Sequence, residues 1–336
     1  MKFSRHGIFL SPSRMAGLSL VELMISMTLG LIILAAVTTV FSNTSASRNE
    51  LERTSRQIEN GRYAVEILSD SLRLAGFYGE LGVGDIAVPG AVPDPCSTNA
   101  PDWIAAIQLH LQGYDNGAGA PACLPALQAG TDVLVVRRVK TCVAGVAGCE
   151  AATAGKPYIQ VSLCNTEMTA TPYVLGLQGT ANFNLTIRGC ATAAGLRQYL
   201  VHIYFISTNN GAGQNVPTLK RMELTGAGWV ETPLVEGIER LNIEYGIDTN
   251  GDGNPDAYTA NPASVADWSN VVTARFHILA RNIDASPGYT DNKIYNLGLN
   301  AAGAAVTYTP GGDPFRRHVY SGLVRIVNPA GRRDTP

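Results

Sequence analysis

The chain opens with a long apolar segment that contains a single ionisable residue. Residues 18–41, LSLVELMISMTLGLIILAAVTTVF, carry no charge apart from Glu22. At about 1.5 Å per residue, a helix over this segment spans about 36 Å, which exceeds a hydrocarbon core of about 30 Å. The pattern predicts a membrane-spanning helix. It also raises the question of why a carboxylate is kept where charge is costly.

Beyond this segment the apolar positions become periodic. Leu51, Ile58, Val65 and Leu72 recur every seven residues, and charged residues occupy the other faces, several in opposite-sign pairs four residues apart. No proline interrupts the pattern. We therefore predict that one helix continues from the membrane segment and packs on a globular head. A coiled-coil dimer is the alternative, and the small or polar residues at many of its inner positions argue against it.

The rest of the chain alternates between loops and strand-like runs. Residues 79–123 are rich in Pro, Gly, Ala and Asp, with one short helix predicted at DWIAAIQLHL. The runs that follow are rich in β-branched and aromatic residues. They are TDVLVVRRVKT, PYIQVSL, FNLTIRG, RQYLVHIYFIS, TLKRMEL, RLNIEYGI, VVTARFHILARN and HVYSGLVRIVN. Few helical patterns separate them, which argues against parallel β-α-β units.

These patterns predict an α+β fold in three parts. Residues 1–17 precede the apolar segment, residues 18–78 form a transmembrane and amphipathic helix, and residues 79–336 form an antiparallel β-rich head. Lys2, Arg5 and Arg14 precede the apolar segment without any acidic residue. Because positive residues stay in the cytoplasm, the head is predicted to lie in the periplasm, with the chain crossing the inner membrane once. A cleaved secretory signal has a shorter apolar region than this one.

Composition and charge exclude several classes of function. Charged residues make up 15% of the chain, below the roughly 25% of soluble domains, and the membrane segment explains part of the deficit. A net charge of −2 gives no electrostatic footprint for nucleic acid, so no nucleic-acid partner is predicted. No HExxH, GxSxG, P-loop or GxGxxG motif occurs, and we predict that the protein is not an enzyme. His202 and His277 are interpreted as packed side chains, and Arg316 and Arg317 as a solvated face.

All cysteines lie after the membrane segment. The six are Cys96, Cys123, Cys142, Cys149, Cys164 and Cys190. An even number on the exported side favours disulfides in an oxidising compartment, and the absence of a CxxC pair argues against zinc. We expect sequential pairing, because short loops close most easily. Other pairings and free buried thiols stay open.

One acidic loop has the spacing of a calcium-binding loop. In DTNGDGNPD, Asp248, Asn250 and Asp252 stand at positions 1, 3 and 5, Asn254 at 7 and Asp256 at 9. The position-12 glutamate of an EF-hand is missing, and a strand precedes the loop, so an EF-hand is excluded. We predict an EF-like Ca²⁺ loop that borrows a ligand from elsewhere. A tight turn is the alternative, because Asn-Gly and Asp-Gly favour hairpins.

The N-terminal segment GLSLVELMISMTLGLIILA resembles the motif of type IV prepilins and type II secretion pseudopilins. The resemblance implies that residues 1–17 are a prepilin leader peptide, and that a prepilin peptidase cleaves after Gly17 and methylates the new amino group of Leu18. It also implies that Glu22, at the fifth mature position, pairs with a subunit N-terminus during assembly. The family most often has Phe where this chain has Leu18.

Three further segments resemble the PilW group of minor pilins: LRLAGFYG, LVEGIERLNIEYGID and RRHVYSGLVRIVN. The resemblance implies a type IV pilin-like fold and a protein that primes pilus assembly near the tip. Implied partners are other minor pilins, the major pilin and a tip adhesin, and implied processes are adhesion and twitching motility. The alternatives are a type II secretion pseudopilin of the J type and a membrane-anchored periplasmic calcium-dependent binding protein or enzyme.

Overall fold

The computed structural model describes Gly17 and residues 19–84, 86–226 and 228–333. Its helices are α1 (Leu20–Arg73), α2 (Ala100–Ala105), α3 (Asn165–Met168), α4 (Val265–Ser269) and α5 (Val327–Arg333). Its strands are β1 (Leu111–Tyr114), β2 (Val133–Val139), β3 (Pro157–Val161), β4 (Tyr173–Leu177), β5 (Leu196–Ser207), β6 (Thr218–Leu224), β7 (Trp229–Glu236), β8 (Ile238–Ile247), β9 (Ala257–Thr259), β10 (Val271–Arg281), β11 (Tyr295–Leu299), β12 (Ala305–Tyr308) and β13 (Arg317–Arg325).

The strands form two main sheets and a separate hairpin. The larger sheet runs β1-β2-β5-β3-β4, and β6 and β7 extend it from β5. The second sheet has the order β13-β10-β8-β9, and β11 pairs with β12. Every one of these pairings is antiparallel. The predicted α+β class, a long N-terminal helix with an antiparallel β-rich head, is confirmed.

The central strands β2 and β5 of the larger sheet are buried on both faces, which explains why they read as continuous apolar runs. On β2, Leu134 and Val136 join the cluster that contains the helix, while Val133 and Val135 join a second cluster on the opposite face. All four side chains are fully buried. A strand with two buried faces needs apolar residues at successive positions, so it loses the usual alternation.

The chain divides into two compact units, Met1–Glu52 and Arg53–Pro336, and the division falls within α1. In the first unit the helix is long and apolar enough to cross a membrane, by length and composition. Its polar side chains bond to the helix itself: Ser26 Oγ donates to the Glu22 carbonyl at 2.7 Å, and Thr38 Oγ1 donates to the Leu34 carbonyl at 2.7 Å. Such internal bonds let hydroxyl groups enter hydrocarbon without unpaired donors.

In the second unit the same helix is packed on the head. Ala64, Leu68 and Leu72 recur every four residues and are fully buried in the cluster that contains β8 and β10. At Gly61 the helix meets the ring of Tyr320 so closely that an added Cβ would overlap it. Gln57 donates from Nε2 to the carbonyl of Ala280 at 2.9 Å. Of the predicted heptad positions, Leu72 is buried in this cluster and Val65 is half-buried against it, whereas Leu51 and Ile58 are exposed. The predicted packing on the head is therefore confirmed for the C-terminal part of the helix, but the buried stripe follows a four-residue spacing and not the predicted heptad.

One predicted strand is absent, and two predicted elements are present but end earlier than predicted. FNLTIRG, residues 183–189, forms no strand and contributes only an isolated bridge between Thr186 and Ala193. The helix predicted at residues 102–111 ends with α2 at Ala105, and its last part enters β1. The final predicted strand ends at Arg325 and is followed by α5. In each case the apolar or β-branched run is short, and contacts with segments distant in sequence decide whether the element forms and where it ends.

Candidate functional site

The first turn of α1 contains the predicted assembly residue. Gly17 is exposed, and Leu18, the predicted first residue of the mature chain, lies outside the described residues, as do Lys2, Arg5 and Arg14. The backbone N–H of Ser19 donates to Glu22 Oε2 at 3.4 Å, and the backbone N–H of Glu22 donates to Ser19 Oγ at 3.3 Å.

These two bonds form a capping box, in which Ser19 is the N-cap and Glu22 occupies the third helical position. Sequence reasoning overlooked this role, although the spacing Ser-x-x-Glu is its usual signal. Both bonds are longer than the common 2.9–3.0 Å of N–H···O bonds. The carboxylate is therefore held loosely by its own helix, and a stronger donor can displace this contact.

The six cysteines are paired as predicted. Disulfides join Cys96 to Cys123, Cys142 to Cys149, and Cys164 to Cys190. All three lie between α1 and β5, where loops are long and strands are short. The predicted sequential pairing is confirmed. The bridges fasten this loop-rich part of the head.

The acidic loop between β8 and β9 is organised by hydrogen bonds from its own backbone. Asp248 accepts from the backbone N–H groups of Gly251 and Gly253 at 2.6 and 2.9 Å, and from Arg333 Nη1 at 3.1 Å. Burial raises the pKa of Asp248, but these donors outweigh it and hold that pKa below its ordinary value. Asp256 accepts from the hydroxyl and backbone N–H of Thr249, and these bonds lower its pKa.

The remaining predicted ligands lie on the exposed side of this loop. Asp252 Oδ1 accepts from the Asn254 backbone N–H at 2.8 Å, and Asn250 Nδ2 donates to Asp256 Oδ1 at 3.1 Å. Within the part of the chain that the structure describes, no group of three or more His, Cys, Asp or Glu is placed to hold a metal ion. The carboxylates are thus turned to backbone and side-chain donors, and Ca²⁺ binding stays a prediction.

The arginine pair is not a solvated face. Arg317 is fully buried in its side chain, where Nε donates to Glu239 Oε2 at 2.6 Å and Nη1 donates to Asp291 Oδ2 at 3.1 Å, with Asp313 as a third partner. Burial lowers the pKa of Arg317, but the hydrogen bonds to Asp313 and Glu239 raise it above its ordinary value. The guanidinium of Arg316 lies 4.2 Å from the ring centroid of Tyr289. No sequence motif signals this buried network.

The two histidines are structural side chains, as interpreted from the sequence. His277 Nδ1 lies 2.7 Å from Ser321 Oγ, and its Nε2 lies 3.6 Å from Glu244 Oε1, so the ring connects β13, β10 and β8. His202 is buried on β5 with Nε2 at 3.6 Å from Glu223. Burial lowers the pKa of both rings, which keeps them neutral.

Two other buried titratable groups lie next to strands of the larger sheet and contact strands of the second sheet. His110 Nε2 lies 2.7 Å from the Val271 carbonyl, and burial lowers the pKa of His110 to about 4. Asp132 accepts from the backbone N–H groups of Asn116 and Ile243 at 2.8 and 2.7 Å, and burial raises the pKa of Asp132 to about 7. Neither position was singled out from the sequence, where nothing marks it.

Comparison with known proteins gives matches at both ends of the chain. Residues 203–328 match the family model of type IV pilus-assembly protein W, PilW, and residues 12–38 match the prokaryotic N-terminal methylation motif. No curated protein matches the chain. A type IV-like pilin from Thermus thermophilus has 11% sequence identity and a TM-score of 0.33, covering 81% of this chain and 96% of its own. Nothing about the present chain is inferred from so low a similarity.

The two family matches support a PilW-family type IV minor pilin, in agreement with the resemblance seen in the sequence. The matched family is one of structural pilins, and the N-terminal motif with its apolar helix is that of a membrane-anchored pilin.

Proposed function

We propose that the chain, whose two family matches support a PilW-family type IV minor pilin, primes pilus assembly and stays at or near the tip with other minor pilins. The observation that carries this proposal is the joint occurrence of the methylation motif over residues 12–38 and the PilW match over residues 203–328. The description of that family names pilus assembly, which favours a pilus over a secretion system. Before assembly the subunit is stored in the inner membrane with its head in the periplasm.

The geometry of Glu22 supplies a mechanism. In the isolated subunit its carboxylate accepts one long hydrogen bond from the Ser19 backbone N–H. Cleavage after Gly17 creates an amino group at Leu18, and the corresponding amine of a neighbouring subunit is a charged, stronger donor. In hydrocarbon this ion pair is favoured over a lone carboxylate, so Glu22 exchanges its cap for an intersubunit contact that fixes the register.

The size of the head supports a place at the tip. Residues 79–336 make up most of the chain, and a bulky head is easier to accommodate once at the end of a filament than at every step of a tight shaft. The tip position brings the head next to the other minor pilins and a tip adhesin. From that position it contributes to adhesion and twitching motility through the pilus that it initiates.

The mass of the mature chain tests the processing step. In membrane extracts we expect the protein to begin at Leu18 with an N-methylated amine, as read by intact-mass analysis and N-terminal peptide sequencing. An uncleaved chain that begins at Met1 contradicts the proposal. So does a chain that begins at Ser47, within the segment SNTSAS, where a secretory signal would be cleaved.

Substitutions at Glu22 separate its two roles. Glu22→Gln keeps the capping box, since Gln caps as Glu does, but it removes the charge. Ser19→Ala removes the hydroxyl half of the cap and keeps the charge. We expect Glu22→Gln to insert and be processed normally but to lose pili as a deletion strain does, and Ser19→Ala to make them. If Glu22→Gln makes normal numbers of pili, or Ser19→Ala loses them equally, the carboxylate acts as a cap alone.

A further inference from the structure

β13 is an edge strand whose outer edge carries free backbone groups. It pairs with β10 alone among the residues that the structure describes. Asn282 N–H donates to the Arg316 carbonyl, and Ile326 N–H donates to the Val272 carbonyl, which fixes the alternation of the ladder. The N–H and C=O groups of Val319, those of Ser321 and those of Leu323 therefore point away from β10.

This edge is open to solvent in its central part. Ser321 is exposed, and 61% of Leu323 is accessible. Within the described ranges, no backbone or side-chain group donates to or accepts from the outward groups of these two residues. The two basic residues that end the strand, Arg317 and Arg325, leave an uncharged centre between them. An edge of this kind is a template for one more strand.

A groove between α1 and β13 runs beside the free edge. Its first part is a cavity of about 520 Å³ lined by Arg62 from the helix, Lys293 from the loop before β11, and Arg316 and Tyr320 from the region of β13. Its second part, about 360 Å³, shares Arg62 and Tyr320, continues past Val65 to Ser321, and is lined by the carboxylates of Glu66 and Asp70 as well. Positive charge is therefore in excess only in the first part. The Tyr320 hydroxyl is buried there without a hydrogen-bond partner.

The groove is positioned to receive side chains from an added strand. Tyr320 lies on the face of β13 that packs against α1 at Gly61. Alternate side chains of a strand point to the same face of a sheet, so every second residue of a strand added beyond β13 points under α1, where the two cavities lie. The other residues lie beside Leu323 on the opposite face.

The charge of the first cavity selects the partner. No Asp or Glu is among its lining residues, and within the described ranges no carboxylate lies within ion-pair distance of the Arg62 or Lys293 side chain. Arg317 adds little positive charge to the cavity, because its guanidinium forms ion pairs with Glu239, Asp291 and Asp313. A carboxylate side chain on the incoming strand satisfies these two cations and offers the Tyr320 hydroxyl an acceptor.

We propose that the free edge of β13 accepts an extended, acidic segment of a different protein as a fifth strand of the sheet. The segment pairs its backbone with Val319–Leu323, places a carboxylate side chain between Arg62 and Lys293, and sets an apolar side chain beside Leu323. The site goes beyond the proposed function and does not depend on it, because pairing at this edge requires neither processing at Gly17 nor the charge of Glu22.

The test uses the full chain in detergent and a synthetic valine-rich peptide with capped ends and a single aspartate for the cavity of Arg62 and Lys293. Two matched peptides serve as controls: one with a central proline, and one with lysine in place of aspartate. Binding is measured by fluorescence anisotropy, and amide exchange by mass spectrometry. We expect the acidic peptide to bind and to slow exchange at Val319, Ser321 and Leu323 about tenfold or more. The proline peptide is expected not to bind.

Two classes of variant separate pairing from simple charge attraction. Leu323→Pro removes an N–H that faces the free edge and spares the ladder with β10, so it should weaken binding about tenfold without unfolding the head. The exposed pair Arg62→Glu and Lys293→Glu leaves the backbone intact and should reverse the preference to the lysine peptide.

The following results overturn the proposal: no binding, equal binding of the proline peptide, or binding without slowed exchange at the three amides, which indicates an anion site only. Slowed exchange that appears with protein concentration and no peptide indicates a second copy of this chain as the occupant, and also overturns it.

Discussion

Residues 79–195 of the head contain all six cysteines, whereas residues 196–333 contain none. The early part has strands of four to seven residues, β1 to β4, and the late part is built on β5, β8, β10 and β13, which have 12, 10, 11 and 9 residues. The early part therefore restricts its unfolded state with cross-links, and the late part relies on ladders and a packed helix. The PilW match falls in the late part.

The two parts share the larger sheet, in which β5 pairs with β2 and β3, and further buried contacts connect the early part to β8 and β10. Asp132 accepts from Ile243 and donates its own N–H to the Leu241 carbonyl, and His110 contacts the Val271 carbonyl. At Gly113 on β1 an added Cβ would overlap the hydroxyl of Tyr245 on β8. In addition to this shared sheet, polar groups and one close approach join the two parts, and a substitution can probe each of them.

Loss of the disulfides should give the largest effect. In the chain-entropy model, the Cys96–Cys123 loop, with a separation of 27 residues, contributes about 3.5 kcal/mol, and the Cys142–Cys149 loop, with a separation of 7, contributes about 2.4 kcal/mol. We expect Cys→Ala pairs to lower the free energy of unfolding in that order, as measured by guanidinium titration of the full chain in detergent.

Amide exchange on the same pair variants sharpens the comparison. Exchange should accelerate first within residues 79–195 and later in β8 and β10, because the latter strands are held by their ladders. Equal acceleration in both parts would show that the head unfolds as one unit and that the contrast has no energetic meaning.

Much of this contrast could be predicted from the sequence. The helix is predicted within residues 18–78 and runs from Leu20 to Arg73, and the runs that form β2, β5, β6, β8 and β10 are long enough to show their composition. The cysteine pairs follow from short loops. These features depend on neighbours along the chain.

The rest depends on partners distant in sequence. β1 (LQGY) and β7 (WVETPLVE) are too short or too polar to be recognised without the strands that pair with them, β2 and β6. The burial of Arg317 requires three carboxylates from separate segments. Likewise, nothing near His110 or Asp132 in the chain indicates that each is buried at a junction.

The pH dependence of stability should reveal the junction next. His110 has a pKa of about 4 when folded and about 6.5 when unfolded, so its contribution to stability is full above pH 6.5 and is lost as the pH falls toward 4. Asp132 has a pKa of about 7 when folded and about 3.9 when unfolded, so its contribution falls as the pH rises from 4 to 7. In the wild type the two slopes oppose each other.

His110→Gln isolates the slope of Asp132 and keeps a donor for Val271. Relative to the wild type, this variant should gain about 3 kcal/mol between pH 6.5 and pH 4, and Asp132→Asn should change the slope in the opposite sense. Denaturant titrations at four pH values measure both. Parallel curves for the wild type and both variants would mean that the two groups titrate alike in the folded and unfolded states.

A substitution at the close approach should have a smaller effect. Gly113→Ala forces a methyl group against the buried Tyr245 ring and should cost about 1–3 kcal/mol, seen as a lower melting temperature. Gly82→Ala, where no atom lies within 4 Å of the added Cβ, is the matched control and should change little. Adding Tyr245→Phe removes the overlapping hydroxyl and should restore part of the loss. An unchanged melting temperature in Gly113→Ala would show that β1 and β8 can separate at this point.

The smallest expected effect concerns the acidic loop, which is the most polar segment of the late, strand-built part. Asp248 is tied to Arg333 and to backbone N–H groups, so a cation must compete with those donors. With a Kd of about 10⁻⁴–10⁻³ M, 1 mM Ca²⁺ stabilises the folded chain by about 0.4–1.4 kcal/mol, a shift of a degree or a few in melting temperature. Magnesium should stabilise less, because Mg²⁺ is smaller and requires six ligands in octahedral geometry, whereas a loop with this many oxygen ligands suits the larger Ca²⁺.

The melting temperature of the full chain is compared in EGTA and in millimolar Ca²⁺. Asp252→Asn is the sharpest variant, since its side-chain oxygen can still accept from the Asn254 N–H while the charge is lost. A shift in the wild type that disappears in Asp252→Asn supports a calcium loop. An equal shift in both, or none, means that hydrogen bonds alone hold this turn, and the late part of the head then needs no ion.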